Sequence, residues 1–311
     1  MEYNGLLQKF PINRSLTEGE RRLQLKQKLR IDTEPLYQLS VIRMNSTYLE
    51  MTDKYYGWKG SLVTIALPIF VALAGFFAAL LYSSIFGGGD VRPAPIWFDV
   101  AIAAIPLPLL ALLIWLFFKD AYTYTHYPIR MNRKTRMVHV FRLNGTVLTV
   151  PWDQLFFCLS KCTSAGQWDI RGHVLDKDGV TVRETFSLTD WDFGPAEAVQ
   201  NNLRRYWEFV RRYMEDGAGA VSDRVHFCMP IETKRESLKV GFERMFAVAT
   251  GQPLPLVLFV WVFAALFLPG RWFAMRTSKI PVWPKEIEDV CRIDLNDPYV
   301  KDGSMNPLDL R

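Results

Sequence analysis

The chain has 311 residues, of which 50% are hydrophobic and 22% charged, with a formal net charge of +5. That balance excludes a disordered chain, a collagen-like repeat and a small disulfide scaffold, and it leaves too many charges for a many-span transporter. The length allows one or two domains with a proper core, but the apolar residues are segregated into a few unbroken blocks.

Residues 1–60 read as a polar cytoplasmic arm with one helix. Ser15-Leu16-Thr17-Glu18 and Thr17-Glu18-Gly19-Glu20 each fit a capping box. The stretch after them, RRLQLKQKLR, sets Leu23, Leu25 and Leu29 among basic residues. Such a helix can lie on anionic lipid, but packing on the domain is the favoured reading.

From Gly60 to Gly89 no residue is charged, and the apolar heart is Ser61 to Phe86. A helix needs roughly 20 apolar residues to cross a bilayer core. A second run, Val100 to Phe118, ends at Lys119 and Asp120. Its Pro106 and Pro108 would disrupt a soluble helix but are tolerated in a span. The two runs predict a transmembrane hairpin over residues 61–118. Because the first run begins only at residue 61, a cleaved signal peptide is not expected.

Ten Lys and Arg lie in residues 1–60, and Lys119, Arg130, Arg133, Lys134 and Arg136 follow the second run. The connection between the runs has one Arg and two Asp. The positive-inside rule then places both flanks in the cytoplasm and the Gly/Pro loop outside. Tyr55, Tyr56 and Trp58, with Tyr122 and Tyr124, mark one interface, and Trp97 marks the other.

Residues 119–217 predict an antiparallel sheet closed by a helix. Strands are expected at Ile129–Met131, Met137–Leu143, Thr146–Val150, Leu155–Leu159, Trp168–Leu175 and Val180–Leu188. Asn144-Gly145 is a strong hairpin signal. Alternation puts Met137, His139, Phe141 and Leu143 on one face. Pro195 then opens a helix in which Val199, Leu203, Tyr206, Trp207, Val210, Tyr213 and Met214 form the apolar stripe. Arg204, Glu208 and Arg212 are expected to face water as a ladder at four-residue steps, and Gly217 and Gly219 end the helix. Strands followed by a closing helix is the order of pleckstrin-homology-like domains, an analogy of fold only. The expected fold class is thus an α+β membrane protein, with an N-terminal helical hairpin and a small antiparallel β domain.

Residues 218–311 hold a third apolar segment at about 245–270, densest from Leu254 to Leu268. Three readings stand open for it: a third span, an interfacial or half-inserted helix, or a helix packed on the rest of the protein. Basic residues on both sides give it no orientation.

Little in the chain points to chemistry. Cys158, Cys162, Cys228 and Cys291 lack metal spacing, and His126, His139, His173 and His226 do not cluster in sequence. Cytoplasmic thiols are expected free. Asp176-Lys177-Asp178-Gly179 is a turn, since the remaining acidic positions of a calcium loop are missing. Trp-Asp pairs at Trp152, Trp168 and Trp191 do not fit a propeller period. Gly87-Gly88-Gly89 reads as a loop with no following Lys or helix. No phosphate loop, dinucleotide fingerprint, nucleophile elbow or zincin helix occurs. A non-enzymatic protein without cofactor or metal is expected. The mild charge is accounted for by topology, so no nucleic acid is expected as partner. Arg130, Arg133, Lys134 and Arg136 form a juxtamembrane cluster for which anionic lipid contact competes with a plain topological role, the latter favoured.

The segments Arg271-Trp272-Phe273-Ala274-Met275-Arg276-Thr277-Ser278-Lys279, Pro281-Val282-Trp283-Pro284 and Asp297-Pro298-Tyr299 form a distinctive tail. Pro128-Ile129-Arg130-Met131-Asn132-Arg133 and Val150-Pro151-Trp152-Asp153 precede it. Together with the paired apolar runs, these resemble an uncharacterised family of proteobacterial inner-membrane proteins often encoded near type VI secretion effectors. The resemblance covers most of residues 40–300. It implies an immunity or accessory protein with membrane lipids and a secreted protein toxin as partners, and it carries over no catalytic residue. Read from the residues alone, Pro281 to Asp289 is a turn and a helix start. The competing expectation is a lipid-sensing or scaffold membrane protein.

Overall fold

The computed structural model describes residues 6–7, 9–86, 95–162, 167–191, 195–246 and 254–311. The expected loop at Gly87-Gly88-Gly89 and residues 247–253 of the third apolar segment fall outside them, while its dense part, from Leu254, lies within them. The chain divides into two units. One is built from residues 1–58, 124–240 and 280–311, the other from residues 59–123 and 241–279.

The first unit is α+β, and its strands begin where a helical arm was expected. Short strands β1 (Arg14–Ser15), β2 (Gln24–Leu25), β3 (Val41–Met44) and β4 (Tyr48–Met51) precede any long helix. Among the described residues the α-helix there is Glu18–Arg22 (α1), capped by Thr17 and Glu20 as a full capping box, with a 3-10 turn at Lys54–Trp58. The basic amphipathic helix over RRLQLKQKLR is therefore corrected. Leu25 is buried in a strand, while Leu29 stays exposed. The physical reason is that pairing with a neighbouring strand satisfies the backbone of residues 24–25, which the five-residue helix does not reach.

The strands β5 (Ile129–Asn132), β6 (Met137–Phe141), β7 (Val147–Pro151), β8 (Leu155–Lys161), β9 (Trp168–Leu175) and β10 (Thr181–Trp191) complete two antiparallel five-stranded sheets. Sheet one has the order β1-β10-β9-β8-β2, and sheet two the order β3-β4-β5-β6-β7. Asn144-Gly145 turns β6 into β7, with Gly145 at φ +83°, a left-handed conformation that suits glycine. Asp176 to Gly179 is a turn between β9 and β10. The Asp178 carboxylate accepts from the backbone N–H groups of Val180 and Thr181.

Alternation gives each sheet an apolar face. Leu49, Met51, Ile129, Met131, Val138 and Val140 come from sheet two, and Phe157, Leu159, Ile170, Phe186 and Leu188 from sheet one. Both faces meet one core with helix α5 (Ala196–Asp216). There Trp207 stacks on Trp152 at 5.6 Å and lies 4.8 Å from Phe157. The opposite faces of the sheets carry polar residues at the alternate positions, and the chain ends cover them.

One expectation for α5 is overturned. Glu208 is fully buried, not solvated. Residues 31–36 run along that side of the helix. The Ile31 N–H donates to Glu208 at 2.9 Å, and Arg211 and Arg212 donate to its two oxygens. Burial works to raise its carboxyl, but the bonds from Arg211, Ile31 and Arg212 hold it below the usual range.

The second unit holds α2 (Ser61–Phe86), α3 (Ile96–Ala104), α4 (Leu107–Asp120) and α7 (Leu254–Thr277), with most of α6 (Leu238–Phe246). Three helical stretches among the described residues are long and apolar enough to cross a membrane: Lys54–Phe86, Ile96–Asp120 and Val257–Thr277. Their side chains are largely exposed, including Phe76, Phe86, Trp97, Leu109, Phe259 and Leu266. The helical hairpin is thus not N-terminal to the β domain. It is an insertion between β4 and β5, which pair directly with each other in the register Leu49↔Met131.

Candidate functional site

The polar face of sheet two carries one buried charged cluster. Glu50 and Arg130 sit opposite each other on β4 and β5. Arg130 donates from Nε and Nη2 to one Glu50 oxygen, at 3.0 and 2.7 Å. The Trp283 indole N–H donates to the other oxygen at 2.9 Å. The guanidinium lies 4.5 Å from the Tyr48 ring centroid and 4.9 Å from that of Trp283, a cation clamped between two aromatic faces. Glu288 approaches it from the outside at 3.1 Å. Helix α8 (Lys285–Val290) brings Glu288, and Pro284 stands just before its first turn. The tail signature Pro281-Val282-Trp283-Pro284 thereby acquires a physical role. It covers the sheet and satisfies Glu50, whose carboxyl burial pushes up against the pull of Arg130 and Trp283.

His139 lies on the same face, next to Arg130 across β5 and β6. Its Nδ1 is 2.9 Å from the Thr149 hydroxyl. Burial and the Arg130 charge lower its pKa to about 4.

The polar face of sheet one holds a second cluster. Cys158 Sγ is 3.6 Å from His173 Nε2, and Glu20 Oε1 is 3.4 Å from that same nitrogen. His173 Nδ1 meets the Thr185 hydroxyl at 2.8 Å. Arg14 grips both Glu20 oxygens at 2.6 and 2.8 Å. Thiol, imidazole and carboxylate in sequence suggest a nucleophile and its base. The environment denies it: Cys158 is fully buried, and burial drives its thiol far above the ordinary range. The cluster's action is to fasten β1 and α1 onto the sheet. Beside it Asp169 is wholly buried with Lys54 at 3.1 Å and Arg171 at 3.0 Å. Among the described residues no group of His, Cys, Asp and Glu could hold a metal ion.

The four basic residues that follow the second apolar run do not form one patch. Arg130 is 2% exposed and is spent on Glu50, so a headgroup contact for it is corrected by its burial. The half-buried Arg133 guanidinium lies against Gly217. Lys134 pairs with Asp294 at 2.5 Å. Arg136 pairs with Asp153 at 2.5 Å and Glu215 at 2.7 Å. Position in sequence could not reveal these partners, because they come from residues 17 to 160 positions away.

In the helical unit, the start of α2 is tied to the end of α4. The Asp120 carboxylate accepts from the Leu62 N–H at 3.0 Å, satisfying a donor that the first turn of a helix leaves open. Lys59 donates to the Asp120 carbonyl and, at 2.9 Å, to the Thr123 hydroxyl. Helix α7 reaches the same place by close backbone approach. A Cβ on Gly270 would stand 2.0 Å from the Thr64 hydroxyl and 2.8 Å from the Gly60 carbonyl oxygen. Gly60 itself has φ +91°. Val63, Ala121 and Ala274 pack together beside this contact.

A family model described as a family of unknown function, DUF6708, matches residues 107–294. This is more than half of the chain. The protein belongs to this family. The matched part runs from α4 through the meander, α5 and α7 to the tail that covers Arg130. It omits β1 to β4 and α2, which supply Glu50 and Asp120's capping target. Nothing among curated proteins and nothing among solved structures matches the chain.

Proposed function

We propose that this member of the family is a non-enzymatic binding protein of the bacterial inner membrane, acting as an immunity or accessory protein of a type VI secretion toxin system. The observation that carries the membrane part is the helical unit. Its three lipid-length stretches expose large apolar side chains, a surface that water penalises and acyl chains accept. In this reading the sheet unit lies in the cytoplasm, as the excess of basic residues flanking the hairpin favours. The resemblance of the Arg271 to Pro284 segment to proteins encoded beside secretion effectors supports the toxin context.

The buried clusters support binding rather than turnover, since Glu50 and Arg130 engage each other, Glu20 and Cys158 both meet His173, and all four are closed to solvent. A specific interface needs roughly 800 Å² from each partner, and the sheet unit is the part large enough to offer it. Deleting the gene and challenging the strain with toxin-delivering siblings tests the proposal. Loss of survival is expected, restored by the full chain. Unchanged survival with the neighbouring effectors expressed would reject immunity.

The second reading is a lipid-sensing or scaffold protein. Two antiparallel sheets with one helix in their common core favour it, as an arrangement in the manner of pleckstrin-homology-like domains. A cell-envelope operon around the gene, in place of a toxin gene, would support it.

A further inference from the structure

We infer that α7 is embedded in the bilayer without crossing it: the segment from α6 to Lys279 enters and leaves the membrane by one and the same face. This rests on the membrane reading above.

The argument begins with connectivity. The sheet unit is one compact body made from three stretches of chain. Its strands β4 and β5 pair with each other, although the hairpin is inserted between them. A body whose strands pair through such hydrogen bonds occupies one side of a bilayer. Each excursion into the helical unit must therefore cross an even number of times. Residues 59–123 satisfy this with two crossings, α2 and then α3 with α4. Among the described residues of 241–279 there is one stretch of spanning length, Val257–Thr277.

A second crossing in that excursion would fall to residues 241–253. As a helix, thirteen residues rise about 20 Å, well short of the ~30 Å hydrocarbon core. Stretched out, they would reach, but with backbone groups unpaired in lipid. They would also carry Glu243 and Arg244 into the core, where charge is strongly disfavoured.

The packing of α7 points the same way. Its Gly270 lies against Gly60 and Thr64, at the start of α2 and beside the Lys59, Asp120 and Thr123 network. From Gly270 back to Leu254 a helix rises about 24 Å, so α7 ends inside the hydrocarbon region even when upright. Along the way Phe242 of α6 packs on Trp261 of α7, with ring centroids 6.3 Å apart. An amphipathic α6 with an exposed Glu243 and a half-buried Phe242 suits the headgroup boundary. The occupant of the exposed α7 face, Leu254, Leu258, Phe259, Val262 and Leu266, is then acyl chain from the leaflet on the sheet unit's side.

Single cysteines test this in the full chain, with the half-buried Cys162 replaced by Ser. Ile96→Cys, Leu295→Cys, Glu243→Cys and Leu254→Cys all sit at exposed positions. Each is treated with a membrane-impermeant maleimide, first in intact cells and then in opened membranes. Ile96→Cys and Leu295→Cys are expected to label from opposite faces. Glu243→Cys should label with Leu295→Cys, and Leu254→Cys either with it or from neither face. Labelling of Leu254→Cys or Glu243→Cys from the Ile96→Cys face overturns the inference while leaving the membrane reading intact. Labelling of Ile96→Cys and Leu295→Cys from one face would instead remove the membrane reading itself.

Discussion

His139 shows how a single buried side chain couples the sheet unit to pH. Its folded-state value of about 4 lies below the ordinary value of 6.5, because burial and the neighbouring Arg130 oppose the imidazolium. Above pH 6.5 the ring is neutral in both folded and unfolded chains, and its contribution to stability is fully present. As pH falls from 6.5 towards 4, the unfolded chain takes up a proton that the folded one refuses, and that contribution is lost. Thermal unfolding in detergent, followed by tryptophan fluorescence, should show the midpoint falling between pH 7 and pH 5. His139→Gln should fall less over the same interval. Equal slopes would mean that the ring is not held neutral. Glu20, Asp169 and Glu208 are lowered carboxyls, so what they contribute is lost only at more acid pH, below the ordinary carboxyl range.

At the scale of one element, α5 separates side chains that the sequence presents as equivalent. Leu203, Trp207 and Val210 are fully buried, as their helical spacing predicts. Trp207→Ala should cost roughly 3–5 kcal/mol, as for large core truncations. Among the described residues Arg204 bonds to Asn201 and Gln200 on its own helix, and Arg204→Ala should stay within about 0.5 kcal/mol. Glu208→Ala belongs with the first, not the second. It takes the buried carboxylate away from Arg211, Arg212 and the Ile31 N–H, and removing one partner of a buried ion pair costs about 3–5 kcal/mol. Unfolding midpoints of the three variants check this ranking, and a Glu208→Ala value near that of Arg204→Ala would show that residues 31–36 do not cover the helix. Periodicity could not expose Glu208, because it records which face of α5 is apolar and not what the rest of the chain lays over the other face.

At the scale of the molecule, the sheet unit is not a continuous stretch. Residues 119–217 lack β1 to β4 and the tail, and so leave β5 without its neighbour β4 and Arg130 without Glu50 and Trp283. A fragment of residues 119–217 should therefore fail to fold, giving a poorly dispersed amide spectrum. A sharp, cooperative unfolding transition from that fragment would show the ends to be dispensable. The hairpin pattern of Val41 to Met51 was present in the sequence, two alternating runs around Asn45-Ser46-Thr47. Its position before an apolar helix gives it no local mark that separates it from a polar arm.

Composition and periodicity alone determined the two long apolar runs of the hairpin, the meander from β5 to β10, its turns at Asn144-Gly145 and Asp176 to Gly179, and the apolar stripe of α5. These are local properties, since span length, two-residue alternation and turn chemistry are each written in neighbouring residues. Tertiary structure alone decided that the first strands join the same two sheets, that Arg130 and Glu208 are buried, and that Trp283 closes over the Glu50 pair. Those outcomes depend on partners far away in sequence: Glu50 and Trp283 are 233 positions apart. A charged residue on a strand carries no local mark of whether water or a distant carboxylate will face it.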